Sequence, residues 1–516
     1  MQAIEPETAE RRSYLTTPIY YVNAAPHLGH AHTSVMGDIL KRARQMVGVN
    51  VLLSTGTDEH GQKNEASARA SGLATQAYLD NQSAAYRALF DRLDVGYDVF
   101  ARTTAPAHTA LVAKIATALH ERGRLVKRSY DGLYCQGCEQ FKRPADLAAD
   151  GACLDHPSLT LERLEEENYF LPVEPYRARL LEHLDARPTW VQPEVHANAV
   201  RALLSEPLDD LCITRPRARV ALGVPLPFDP DYVAYVWFDA LINYLSNLGW
   251  PEPGYEPWWS QAEHLIGKDI IKTHAIHWPC ILMALAQPLP RRISVHAHWL
   301  GPGGHKMSKT AGNVVDPFEL VDRYGPSTVR FFLARHMRSG DSQVSEALVN
   351  QAHAELGNKL GNLVLRLVGF CERSFGGAIP EARLAPQDAG LVEEICQLVH
   401  RAHGDLQQLP TIHLGVDALI EATDRLNDYV TRRAPWSLVR SADGVLEAAG
   451  VLYASLDGLR LVLEGLFPVM PRISERALCQ LGQVPPGEGG AFTFAAGRLN
   501  RRKSLRAVGP LFPRLP

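Results

Sequence analysis

Between Tyr14 and Thr57 the chain spells out a strand, a turn, a helix and a second strand. The run YLTTPIYY is rich in aromatic and β-branched residues, which predicts a strand, and it ends in the turn-prone NAAPHLGH. From Leu28 to Val47 apolar side chains recur at helical spacing, Gly48 closes that segment, and VNVLLSTGT reads as a buried strand. Such a βαβ unit is the building block of a parallel sheet covered by helices.

The sheet is interrupted. Helical patterns run to about residue 122, the stretch from 123 to 167 is irregular and carries cysteines, and 168 to 227 is Pro-rich and mixed. Strand and helix signals return with Tyr232-Val233-Ala234-Tyr235-Val236-Trp237 and with HLIGKDIIKTHAIHWP, so the α/β unit resumes there. Beyond about 345 the pattern is helical, with apolar stripes in 355–375, 388–407, 412–433 and 444–466 that suit an antiparallel bundle. A chain of 516 residues is expected to form three or four packed units. The expected fold class is α/β: a Rossmann-like parallel sheet split by an insertion and followed by a helical bundle. The boundaries read as 1–125, the insertion 126–224, the returning half 225–298, a loop-bearing region 299–348 and the helical domain 349–516.

His27 and His30 stand three apart at the predicted first turn of a helix, so both imidazoles project on one side of a positive dipole end. Gly29 lets a ligand approach the backbone, and the preceding strand places the pair at the carboxyl edge of the sheet, where α/β folds bind ligands. Histidines near a helix start are more often ordinary surface or core residues, and alone they decide nothing. A second element, GPGGHKMSKTAGNVVDP, is a glycine-rich loop bearing Lys306 and Lys309. Ammonium groups there can neutralise charge that develops on phosphate only in a transition state. By residue type alone, two nearby lysines are as well read as a solvated charge run.

Cys135-Gln-Gly-Cys138 is followed by Cys153-Leu-Asp-His156, two ligand pairs with the same two-residue gap. Four protein ligands fill a tetrahedral shell and leave no open position, which predicts one structural Zn²⁺ rather than a catalytic one. Eight cysteines in a chain this long do not indicate a disulfide framework.

Together these segments resemble the class I aminoacyl-tRNA synthetases: HLGH is similar to their HIGH signature and KMSKT to their KMSKS signature, with Thr310 in place of the final serine. TTPIYYVNAAPHLGH, LSTGTDEHGQK, YVWFDALINY, HLIGKDIIKTHAIHWP and a later APW resemble the methionyl branch in particular. The resemblance implies that His27, Gly29 and His30 bind ATP phosphates and that Lys306 and Lys309 stabilise the transition state. It implies Mg²⁺ arriving with ATP, and a substrate ammonium meeting Asp58. For the methionine side chain it implies a pocket of Ile19, Tyr21, Trp237, Ala240, Leu241, Tyr244, Ile270, His274 and Trp278, residue types suited to a polarizable thioether. Read by themselves, the aromatics of VWFDALINY are more often packing residues, and for Asp58 turn capping and ligand binding weigh equally. Residues 126–224 become the family's connective insertion and 299–348 its loop and stem-contact region.

In the helical region the resemblance implies anticodon recognition by Asn362, Arg366 and Trp436. Without it, Trp436 reads as a core residue and Arg366 as a solvated charge. The expected partners are L-methionine, ATP and both initiator and elongator tRNA(Met), with no membrane; a cytoplasmic monomer is expected. Homocysteine, one methyl smaller, is the expected wrong substrate, since one methylene is worth only ~1 to 3 kcal/mol of discrimination. The rivals are a cysteinyl or leucyl enzyme, a non-catalytic RNA-binding paralogue and a small nucleotidyltransferase. One departure is Leu222 in RVALGVPLP, where the family usually has tryptophan. The net charge of −4 gives no global attraction to polyanions. The basic tail from Gly497 to Pro516 reads as a solvated terminus.

Overall fold

The computed structural model describes residues 11–142, 147–154, 157, 159–301, 304, 307, 315–338, 340–486, 492–500, 505 and 509–515. At its centre is a parallel sheet of β1 (Arg12–Tyr21), β2 (Asn50–Asp58), β3 (Val99–Arg102), β4 (Val191–Gln192), β5 (Ala262–Gly267) and β6 (Arg292–His296). The strands lie in the order β3-β2-β1-β5-β6-β4. Residues from before and after the insertion thus pair directly, Tyr14 with Ala262 and Thr16 with His264. β4, inside the 126–224 stretch, adds the edge strand of the same sheet.

Each face of the sheet has its own apolar core. On one side Leu28, Val35 and Ile39 of the Leu28–Met46 helix join Tyr86, Phe90, Phe331 and the helical C-terminal region in one continuous cluster. On the other, Val112, Leu180, Val200, Phe238 and Ile281 pack from the helices that follow β3 and flank β4 and β5. Gly56 in β2 is required by a close approach: a Cβ there would lie 2.2 Å from the Ala101 carbonyl oxygen on β3.

The insertion carries an antiparallel sheet in the order Gln140–Lys142, Val126–Cys135, Glu162–Leu171, Leu211–Cys212. The C-terminal region contains helices Glu346–Leu356, Asn362–Phe375, Pro386–Leu406, Ile412–Arg433, Ala442–Leu466 and Pro471–Gln480; the middle four fall on the apolar stripes read from sequence, and the first and last flank them. Arg330, fully buried in the Pro317–His336 helix, joins the two halves of the molecule. It donates to Asp38 Oδ2 (2.6 Å) and to the carbonyls of Val469 (2.7 Å), Leu93 and Pro468 (both 2.9 Å). The tail departs from the solvated reading, because Leu499, Leu505, Leu511 and Phe512 are buried against the helical region.

Candidate active site

β1 ends at Tyr21 and the next helix begins at Leu28, with His27 as its N-cap. The His27 backbone N–H donates to His30 Nδ1 and the Gly29 N–H donates to His27 Nδ1, each at 3.1 Å. Each Nδ1 is therefore an acceptor, so each Nε2 carries the ring proton and serves as an N–H donor. The rings stack at 3.7 Å. Burial and the neighbouring His27 hold His30 well below the usual histidine range, so it acts at neutral pH as a neutral donor. Exposed His27 and half-buried His30 thus crown an N-terminal helix dipole with donors suited to phosphate oxygens. Thr33, one turn on, donates toward the Gly29 carbonyl (3.1 Å) and lies 2.8 Å from His296 Nε2 at the end of β6.

Beside this dipole end, the carboxyl ends of β1 and β2 are in register, Tyr21 opposite Asp58. Asp58 is 6 % exposed, and its Oδ1 has no hydrogen-bond partner among the described residues. Burial pushes its carboxyl well above the usual range, and the charges of Asp239, Glu139 and Glu59 push the same way. A buried, unpaired acid among other acids is a site that a cation would stabilise.

The other residues of the expected methionine pocket come from the elements around β5. Tyr244 O–H lies 2.7 Å from His274 Nε2, and His274 Nδ1 lies 3.0 Å from the Ile270 carbonyl. His274 sits in a π-helical turn, Thr273–His277, an irregularity frequent at functional sites. Trp278 Nε1–H donates to His264 Nε2 (3.2 Å), whose Nδ1 faces Thr16 Oγ1 at 2.7 Å. Trp278 is 6.0 Å from the Tyr244 ring. Ala240, Leu241, Tyr244, His274 and Trp278 are buried, whereas Ile19, Tyr21, Trp237 and Ile270 are half-buried. These nine residues are mostly apolar or aromatic, and the polar side-chain atoms of Tyr21, Tyr244, His274 and Trp278 are each hydrogen-bonded within the fold.

Sequence reasoning missed several groups. Asp239 accepts from His60 Nδ1 (2.6 Å) and His108 Nε2 (3.0 Å). Burial would raise its carboxyl, but the two imidazoles outweigh this and bring it down to about 2. A lone acid inside the apolar run VWFDALINY was the available signal. Glu139, directly after Cys138, accepts from the Tyr21 hydroxyl (3.1 Å) and was not singled out. Leu222 in the departing segment is half-buried, and its carbonyl accepts the Gly61 N–H at 2.9 Å.

Cys135, Cys138 and Cys153 converge with their sulfurs within 4.8 Å of one another. Cys138 and Cys153 are 3.7 Å apart, close to the roughly 3.8 Å that tetrahedral Zn–S bonds of about 2.3 Å require. His156, Lys306 and Lys309 lie outside the described residues. On the helical region Arg366 places its guanidinium 5.3 Å over the Trp436 ring, and Asn362 is exposed one turn earlier on the same helix. Trp436 is 41 % exposed, not a core residue.

The model of tRNA synthetases class I (M) matches residues 13–158 and 144–368. A methionine–tRNA ligase of Caldanaerobacter subterraneus subsp. tengcongensis is 37% identical, over 91% of this chain and 74% of that protein. One of Thermosynechococcus vestitus is 36% identical over 91% and 89%. The structure of Mycobacterium tuberculosis methionyl-tRNA synthetase in complex with methionyl-adenylate superposes with a TM-score of 0.92. It is 33% identical and covers 98% of this chain and 100% of that one.

Proposed function

Because the chain belongs to the methionyl family of class I tRNA synthetases, we propose that it activates L-methionine with ATP, releasing pyrophosphate, and then transfers methionine to the 3′ end of tRNA(Met). The observation that carries this reading is the juxtaposition at neighbouring strand ends of a phosphate-suited dipole end, an unpaired buried carboxylate and an aromatic pocket.

The steps follow from the side chains. Asp58 receives the methionine ammonium, and Ile19, Tyr21, Trp237, Ala240, Leu241, Tyr244, Ile270, His274 and Trp278 enclose the thioether. The methionine carboxylate attacks the α-phosphorus, a P–O bond forms to it, and the bond to pyrophosphate breaks. His27 and His30 donate N–H bonds to the phosphates, with Gly29 giving the backbone room, and Lys306 and Lys309 neutralise the charge of the transition state. Mg²⁺ enters with ATP. The terminal ribose hydroxyl of tRNA then attacks the mixed anhydride, and AMP leaves.

Three converging sulfurs fit a zinc ion. We assign Cys135, Cys138, Cys153 and His156 as its ligands. When bound, it supplies a cross-link of the inserted sheet and no open coordination position. Asn362, Arg366 and Trp436 form the proposed anticodon contact, a stacking surface with flanking hydrogen-bonding groups, for initiator and elongator tRNA alike. We place the protein in the cytoplasm as a monomer; no helix among the described residues is long and apolar enough to cross a membrane. The domain divisions at 125/126, 224/225, 298/299 and 348/349 stand as part of this proposal.

The test is amino-acid-dependent ATP–pyrophosphate exchange with methionine, homocysteine, cysteine, leucine and no amino acid. Exchange that strongly favours methionine is expected. Absence of exchange with every amino acid overturns the reading in favour of an RNA-binding paralogue.

A further inference from the structure

The cysteine turn and the amino-acid pocket meet at one side chain. Glu139 follows the Cys135-Gln-Gly-Cys138 turn with a left-handed backbone, φ 53°, and is 7 % exposed. That conformation is uncommon for a residue with a Cβ. Both of its carboxylate oxygens accept from the Tyr21 hydroxyl (3.1 and 3.2 Å), and one also accepts the Lys63 N–H at 3.1 Å. Its backbone carbonyl accepts from Arg215 Nη2 at 3.0 Å, and Lys63 Nζ donates to the Gly137 carbonyl inside the same turn. The contact leaves no slack on the far side of Tyr21. A Cβ on Gly61 would lie 2.2 Å from the Tyr21 hydroxyl oxygen and 3.5 Å from Glu139 Oε1, and Gly61 has φ +108°. Tyr21 is the register partner of Asp58.

We propose that Glu139 is a positioning residue that transmits the geometry of the cysteine turn to Tyr21, and so sets methionine affinity from outside the pocket. The inference rests on the methionine-activating reading above. An aromatic ring held at its hydroxyl by a buried carboxylate and packed against Gly61 has one position; without that acceptor the hydroxyl loses the hydrogen bond that fixes the ring at the ammonium end of the proposed pocket. The cysteine turn thereby acts on the first substrate as well as on the fold of the insertion.

The experiment compares wild type with Glu139→Gln, Glu139→Ala and Tyr21→Phe, and with Glu139→Ala in the Tyr21→Phe background. The readouts are methionine affinity by tryptophan fluorescence without ATP, KM for methionine and for ATP in exchange, and bound zinc per chain. A charge-assisted hydrogen bond of about 1.5 to 3 kcal/mol corresponds to roughly 10- to 150-fold in methionine affinity. Glu139→Ala is expected to lose affinity within that range with ATP KM changed less than about twofold and with zinc content at the wild-type level. Gln, which keeps an acceptor, is expected to recover most of the loss. In the Tyr21→Phe background the Ala substitution should cost little more, since the coupling is gone. An equal cost in both backgrounds, a parallel rise in both KM values, or loss of zinc from Glu139→Ala overturns the proposal. Failure of wild type itself to exchange with methionine instead overturns the reading on which it rests.

Discussion

The Tyr244 hydroxyl donates to His274 Nε2 across 2.7 Å while His274 Nδ1 is held by the Ile270 carbonyl at 3.0 Å, so the imidazole is locked in one neutral tautomer. Burial lowers its pKa from 6.5 to about 4, against the smaller opposing pull of the Ile270 carbonyl and Asp269. Tyr244→Phe leaves Nε2 buried and unpaired, a cost of about 1 to 3 kcal/mol. We expect the denaturant unfolding free energy to fall by that amount, with ATP KM in exchange assays unchanged. The same burial has a signature in pH. An imidazole that resists protonation when folded is protonated first in the unfolded chain, so His274 erodes stability as pH falls from about 6.5 toward 4. His264, held well below 6.5 by burial and by His274, adds to the slope. Thermal midpoints measured across that window should decline, and Tyr244→Phe should not abolish the decline.

Asp58, the proposed partner of the methionine ammonium, opposes stability. Its folded pKa is raised above that of an unfolded carboxyl, so above the ordinary aspartate range the ionised form costs folding free energy. Asp58→Asn should therefore raise the thermal midpoint at pH 7, by a margin that shrinks as the pH is lowered toward the ordinary carboxylate value. Methionine affinity should fall on the order of 100-fold, the loss typical when one member of a buried charge pair is removed. If Asp58 meets the ammonium as proposed, methionine binding to the wild type should draw it into its ionised form and release a proton. Titration calorimetry in buffers of different ionisation enthalpy should detect that release below the pKa of Asp58 and lose it in Asp58→Asn; a variant that releases as many protons as wild type would count against Asp58 as the ammonium partner.

Arg330 carries the joint between the sheet and the helical region. Burial would raise the Asp38 carboxyl, but Arg330 and Arg42 outweigh it and hold it below the ordinary range. Arg330→Met leaves buried carbonyls of Leu93, Pro468 and Val469 without this donor and removes one of Asp38's two guanidinium partners. Breaking a buried pair in this way costs about 3 to 5 kcal/mol. Denaturant unfolding should shift to markedly lower midpoint, and the double variant Asp38→Asn, Arg330→Met should be less unstable than the sum of the single changes.

Legibility from sequence followed the reach of the interaction. The HLGH turn was readable because strand, turn and helix signals are local and contiguous, and the bundle because its apolar stripes repeat over many turns. The cysteine pairs carry their ligand spacing in the sequence. Arg330 in the middle of a helix gives no local sign that all its partners are carbonyls and an acid brought in by distant elements. The two-residue strand Val191–Gln192 is too short to show a period. Glu139 owes its role to a left-handed backbone after Cys138, which residue type does not announce. Trp436 reads as core by type, yet Ala434 at φ 40° and Pro435 turn the chain so that the indole faces outward beneath Arg366.

If that outward indole reads RNA as proposed, it should separate the two half-reactions. A large apolar ring left 41 % exposed costs free energy unless something covers it, and Arg366 lies over one face. Base stacking on such a ring is worth about 1 to 3 kcal/mol. Trp436→Ala should therefore reduce kcat/KM for tRNA charging roughly 5- to 150-fold, chiefly through KM, while methionine-dependent pyrophosphate exchange without tRNA stays at the wild-type rate. Arg366→Ala should act in the same direction, and the double variant should fall short of the product of the two losses because the side chains touch. Equal loss of exchange and charging would mean that Trp436 supports the fold rather than reads RNA.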